Sequence, residues 1–376
     1  MKRLGTDRDS AMDQEKIVIG TAIPATGTFA DLGEAIKQVI SAAFEEANVN
    51  GGINNRRLEL KFVETAADGA TTAANVDRLI KNENVFAMVD LFLAGAENEV
   101  IPLLRERGVP LVGPMTLKPK IETPLNRQVF YLLSGVPEQA RALISFVSKS
   151  GERNTRARTA VIYLPSELNS SILEAVRTEC QKEGLSAPKV YEYQSGSFDA
   201  AQAVQQLRQS DVSSILFTGS AADFSLFVAT ADMAGWYPQL LLPMGLSGSD
   251  IFKAPSGFDG KLFIAFPTAP EDVTAQGQIQ LQALSEKYKL PRKHLAAELA
   301  AYAGVKILIE GLRRAGKDPT RETFIKALEG LNQFRTELTP LITYSPTRRI
   351  GAMGAYVVSV DLKEKKMTVN RWVDIN

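Results

Sequence analysis

A chain of 376 residues is too long for one ordinary domain and long enough for two, each with its own core. Its 43 lysines and arginines balance 43 aspartates and glutamates, so no concentrated positive charge favours nucleic acid or an anionic membrane surface. One cysteine, Cys180, excludes an intrachain disulfide, and one histidine, His294, leaves a zinc cluster or a Ser-His-Asp triad a single imidazole to build on.

Residues 1–15 are polar and charged and lack the apolar stretch of a secretory signal. They are expected to be a disordered leader, an expression scar, or the ragged edge of a longer parent. No run has the apolar length of a membrane span. Residues 17–23 read as a buried strand, and Leu32, Ala35, Ile36, Val39, Ile40, Ala43, Phe44 and Ala47 repeat with the spacing of a core-facing helix. Gly51 and Gly52 are expected to stop that helix with positive φ, and Asn54-Asn55 to make a second tight turn into an edge strand.

Further strands are expected at 58–64, 85–90, 109–113 and 129–133, with helices between them. Helix 137–149, strand 159–163, helix 168–183, strand 189–193, helix 200–209, strand 214–218, helix 222–234 and strand 240–243 repeat the plan. Strand 261–266 is followed by helices at 275–288, 296–315 and 320–331 and by closing strands near 341–344, 354–361 and 367–374. Strict alternation with short links predicts an α/β fold of two lobes, each a mostly parallel sheet with helices on both faces.

Parallel sheets of this kind bind ligands beyond the carboxyl ends of their strands, where loops lead into helix N-termini. Those loops are 24–33, 92–98, 114–118, 164–170, 219–224 and 244–250. The glycines of the first loop fit neither phosphate-binding fingerprint, and no C-x-x-C-H occurs, so neither a nucleotide cradle nor covalent haem is expected. No metal site and no cofactor are expected either. His294 is placed at a helix start as a surface cap. Cys180 follows Leu168, Ile172 and Val176 at four-residue steps and reads as a core thiol. The Arg-rich run 153–160 reads as solvated loop charge, and Trp236-Tyr237 as packing beside the cleft.

The segment EEANVNGGINNRRLELKFVET, residues 45–65, resembles the opening of type I periplasmic binding proteins of the Leu/Ile/Val-receptor family. Asn48, Gly51, Gly52, Ile53, Asn54, Leu58, Glu59 and Leu60 match the family pattern, with Asn55 in place of its turn glycine. The resemblance extends over residues 16–376 and implies three crossings between lobes, expected at 134–136, 266–268 and 340–343. Lobe 1 is then 16–134 plus 267–339, and lobe 2 is 135–266 plus 340–376. It also implies a ligand held in the inter-lobe cleft, hinge closure, and delivery to the permease of an ABC importer or to a fused signalling module.

In such receptors hydroxyls and backbone N–H groups of the second and third loops hold a ligand carboxylate, an acidic residue of the last loop holds the ammonium, and aromatic residues close over both. Matching the strands puts Gly95 and Ala96 in place of the serine run, Thr116 or Leu117 at the threonine, and Leu246 near the acidic position. Leu32, Leu168 and Ser220 fall at aromatic positions. With Phe29, Phe92 and Met115 this makes a mostly apolar site, with Thr116, Asn169, Ser220, Ser247 and backbone N–H groups available for one polar handle.

The resulting reading is a solute-binding receptor for a small, largely apolar ligand, aromatic or aliphatic, that could carry a carboxylate. It has no catalytic residue. An intracellular ligand sensor and a branched-chain amino acid receptor remain as alternatives within the binding class. An enzyme on a doubly wound fold is the alternative outside it, with Asp90, Glu97 and Asp223 as acid/base candidates.

Overall fold

The computed structural model describes residues 16–93, 95–150, 158–243 and 249–375. The chain divides into two compact units, one running to Leu133 and resuming over Pro270–Ala352, the other made of Ser134–Ala269 and the segment from Met353 onward. The first unit begins with β1 (Lys16–Ile23), α1 (Ala30–Val49), β2 (Arg57–Glu64), α2 (Gly69–Glu83), β3 (Ala87–Val89), α3 (Glu97–Arg107), β4 (Leu111–Val112) and β5 (Val129–Leu133). The second contributes α4 (Val136–Ser150), β6 (Thr159–Tyr163), α5 (Glu167–Lys182), β7 (Lys189–Glu192), α6 (Ala200–Gln209), β8 (Ser214–Phe217), α7 (Ala221–Met233), β9 (Gln239–Pro243) and β10 (Leu262–Phe266). The chain returns to the first unit for α8 (Ala275–Tyr288), α9 (Leu295–Ala315), α10 (Arg321–Glu329) and β11 (Ile350–Ala352), then ends in the second with β12 (Gly354–Asp361) and β13 (Lys366–Asp374).

The first unit's sheet has the order β11-β5-β4-β3-β1-β2, and all its pairings are parallel. β1 is buried from Ile17 onward, as a parallel strand covered on both faces should be. α1 packs on α9 on one face, and α2 pairs with α3 on the other. β2 is the edge strand and exposes much of its length. The turn before it behaves as expected: Gly51, Gly52, Asn54 and Asn55 all have positive φ. A Cβ on Gly52 would lie 2.1 Å from the Arg56 carbonyl oxygen, so the turn needs glycine there for space as well as for φ. Asn48 then ties the helix to the strand, its amide oxygen accepting from the Leu58 N–H at 2.7 Å and its Nδ2 donating to the Leu58 oxygen at 3.0 Å.

The second unit's sheet has the order β13-β12-β10-β9-β8-β6-β7 and is parallel except where β12 pairs antiparallel with β10 and β13. One apolar cluster joins α4 and α5 to the sheet and includes Cys180, a core thiol that burial pushes up to about 11. The other cluster lies under α6 and α7. Trp236 and Tyr237 pack against it, on Phe227 at 6.3 Å and Phe258 at 5.3 Å. Side-chain oxygens cap the helices where the sequence places Asp, Ser or Thr, at Asp68, Ser166, Asp199, Ser220, Thr274 and Thr320.

Three expectations need correction. Residues 341–344 form no strand; Ile342 makes an isolated bridge with Phe334, and the sheet is extended instead by β11 beside β5. The third crossing therefore falls after Ala352, and 340–352 belong to the first unit. Gly351 makes this possible, since a Cβ there would sit 2.7 Å from the Ile342 side chain. His294 does stand at the start of α9, but its side chain makes no cap; Glu298 caps instead, accepting the His294 backbone N–H at 2.9 Å.

Candidate functional site

Both units share one strand order, β2-β1-β3-β4-β5 in the first and β7-β6-β8-β9-β10 in the second. In each, the first strand has its successors on both sides, which opens a crevice at its carboxyl end. In the first unit, residues 24–26 and a 3-10 turn at Gly27–Phe29 lead from β1 into α1. Phe29 is half exposed, and its ring centroid lies 5.5 Å from that of Phe92. Phe92 is held from both sides: its N–H donates to the Ala22 oxygen at 2.9 Å, while Met115 exchanges backbone bonds with Leu91 and Leu93 at 2.8 and 3.1 Å. The expected site residues Phe29, Phe92 and Met115 thus come together. Leu32 is half-buried in the first turn of α1, and Leu117 is 53 % exposed on the neighbouring loop.

Gly95 is exposed with φ of 95°, and Ala96 turns inward, its N–H bonded to the Leu93 oxygen at 2.7 Å as α3 begins. The first residue of α3 is Glu97, only 6 % exposed. The Thr116 hydroxyl donates to its Oε1 and accepts the Lys118 N–H at 3.0 Å. Sequence reasoning named both residues and missed their pairing, which joins loops 19 residues apart in the chain.

Asp90, directly after β3, is fully buried, and neither carboxyl oxygen has a hydrogen-bond partner among the described residues. Its φ of 50° turns the chain from the strand into the Phe92 loop. Gly113 and Gly304 leave it room, since a Cβ on Gly304 would lie 2.0 Å from Asp90 Oδ1. Burial pushes its carboxyl well above the usual range. Its signal in the sequence was one acid ending the apolar run VFAMV.

In the second unit Leu168 packs partly buried on the α4–α5 cluster. Asn169 is buried, and both of its amide hydrogens are used, on the Leu164 oxygen at 2.7 Å and the Thr218 oxygen at 3.0 Å. It pins together the loops after β6 and β8, the two strands at the switch point. Ser220 is exposed and forms a capping box with Asp223 at the start of α7. Its hydroxyl donates to Asp223 Oδ2 at 2.7 Å, and the buried Tyr193 hydroxyl donates to the same oxygen at 2.8 Å. Burial and this carboxylate both raise the Tyr193 phenol, burial the more. Leu246 and Ser247 lie outside the described residues, as do residues 153–157 of the Arg-rich run; Arg158 pairs with Asp211 at 2.8 Å.

A surface pocket of about 380 Å³ lies at the opposite, amino ends of β1 and β2, lined by Lys16, Phe44, Asn48 and Arg57 among others. Its charges are paired, Lys16 with Glu59 and Arg57 with Glu45, and it is remote from the strand-end loops. Among the described residues no group of three His, Cys, Asp or Glu side chains could hold a metal ion, and no helix is long and apolar enough to cross a membrane.

Two units of one parallel topology, connected by three passages of the chain, define the type I solute-receptor architecture. The chain belongs to the periplasmic binding protein family, whose model matches residues 16–366. It is 25 % identical over 335 residues to a Leu/Ile/Val-binding protein homolog of Brucella melitensis, covering 88 % of each chain. The crystal structure of a branched chain amino acid ABC transporter protein from Thermus thermophilus with bound valine superposes with a TM-score of 0.69 at 19 % identity, over 97 % of this chain and 98 % of that one. A fatty acid ABC transporter substrate-binding protein from Thermomonospora curvata shares the fold with a TM-score of 0.66 at 17 % identity, over 96 % and 93 %.

Proposed function

We propose that the chain is the solute receptor of an ABC importer, working outside the cytoplasmic membrane, and that it takes a small, largely apolar ligand at the carboxyl-end loops of its two units. It is read as a binding protein without catalysis of its own. The observation that carries this reading is the apolar lip of the first unit, where Phe29 and Phe92 lie 5.5 Å apart and Leu117 stands exposed. Large apolar side chains left in water at a strand-end crevice gain by covering a ligand of like character. Burial of roughly 150–200 Å² of ligand surface would contribute about 4–5 kcal/mol at ~25 cal/mol per Å², so a polar contact has to add the rest of a micromolar affinity. The name of the Thermomonospora curvata neighbour lends this reading some support.

A branched-chain amino acid ligand is the second reading, favoured by the names of the Brucella and Thermus proteins. A thermal-shift panel of aromatic acids, short aliphatic acids, neutral apolar compounds and free amino acids separates the two. At about 100 times its dissociation constant a true ligand should stabilise the protein by roughly 2.7 kcal/mol, a melting shift of a few degrees. Hits confined to free α-amino acids would overturn the apolar reading in favour of the second.

A further inference from the structure

Resting on the receptor reading, we propose that Glu97 sets the charge preference of the first unit's loops: the ligand group accepted there is an N–H donor, an amine or amide, and carboxylates are refused. A threonine hydroxyl has one proton to give, and that of Thr116 goes to Glu97 Oε1. The Thr116 oxygen already accepts the Lys118 N–H at 3.0 Å. A ligand carboxylate arriving at this loop would therefore find no free hydroxyl proton. It would also meet a second carboxylate within a few ångströms.

Two further features point the same way. Glu97 is 6 % exposed and opens α3 next to the Phe92–Met115 bridge, so it borders the apolar lip and does not extend into solvent. Among the described residues no lysine or arginine pairs with it; the acids in ion pairs on the neighbouring stretches are Asp77, Glu106 and Glu122. A nearly buried carboxylate hydrogen-bonded by one hydroxyl gains from an N–H donor and is penalised by another anion. Here the protein supplies the negative group itself, and the ligand has to supply the donor.

The test uses three probes with one apolar body, 3-phenylpropylamine, 3-phenylpropanamide and 3-phenylpropanoate, titrated calorimetrically into the wild type, Glu97→Gln and Thr116→Val. The amide oxygen of the glutamine still accepts the Thr116 proton, so that variant keeps the loop-to-loop bond while losing the charge. The wild type is expected to bind the amine and amide at least about tenfold more tightly than the acid, a difference of ~1.4 kcal/mol. Glu97→Gln should shrink that ratio to about threefold or less, and Thr116→Val, which keeps the charge, should preserve it. Acid binding equal to amine binding in the wild type, or an unchanged ratio in Glu97→Gln, overturns the assignment while the receptor reading stands. If only free α-amino acids bind, the assignment also falls and the receptor survives; if nothing in either panel binds, the receptor reading fails and takes the assignment with it.

Discussion

Asp90 offers the sharpest physical test of the first unit. It is fully buried, its oxygens have no partner among the described residues, and it lies against Gly113 and Gly304 on neighbouring elements. The Tyr344 hydroxyl is committed elsewhere, donating to the Tyr131 oxygen at 3.1 Å. Burial raises the folded-state pKa of Asp90 above its unfolded value, so the fold holds a proton that the unfolded chain has released. The stability associated with that proton is fully present below the unfolded pKa of about 3.9 and is lost as pH rises through the folded pKa, at up to ~1.4 kcal/mol per pH unit. Asp90→Asn keeps the shape, does not titrate, and tolerates the left-handed backbone at φ 50°. Relative to the variant, the wild type should lose about 1.4 kcal/mol per pH unit from pH ~4 upward, or roughly 3–6 °C per unit for a unit of this size. Urea unfolding of both proteins at several pH values from acidic to neutral measures that difference directly. Parallel pH curves for the two proteins would refute the burial-raised carboxyl.

Two further predictions concern the turn before β2 and the Asn169 clamp. Gly52→Val should cost more than Gly51→Val: both need positive φ, about 1–3 kcal/mol of strain, but only at Gly52 does a Cβ collide with the Arg56 carbonyl, whereas Gly51 faces open space. Equal melting shifts for the two variants would contradict this. Asn169→Ala should leave the Leu164 and Thr218 carbonyls without their donor and destabilise the second unit by about 2–3 kcal/mol, read by denaturant unfolding; a change below about 0.5 kcal/mol would mean that water replaces the clamp without loss.

The regular part of this fold was legible because parallel strands buried on both faces leave uninterrupted apolar runs, as in residues 17–23, and because helices announce themselves by three-four spacing, as in α1. The Gly-Gly and Asn-Asn turns were equally plain, since few other residues accept positive φ. β11 was hidden for the converse reason: three residues, Ile350-Gly351-Ala352, carry no periodicity, and the glycine that reads as a break is what lets the strand pass Ile342. The third crossing was misplaced with it.

The site divides along the same physical line. Which loops stand at strand ends follows from strand order, so Phe29, Phe92 and Met115 could be assigned to neighbouring loops before any coordinates. Whether a polar side chain is free or spent depends on partners distant in the chain, and no local pattern encodes that. Thr116, Asn169 and Ser220 were all counted as available polar handles. Yet each has its hydrogens engaged within the protein, by Glu97, by two carbonyls, and by Asp223. The carboxylates on two of those hydroxyls, Glu97 in the first unit and Asp223 in the second, are acceptors, so a ligand seeking hydrogen bonds from these side chains meets acceptors more often than free donors. In the first unit the role proposed for Glu97 makes the charge of the bound molecule the property most open to measurement, ahead of its size or shape.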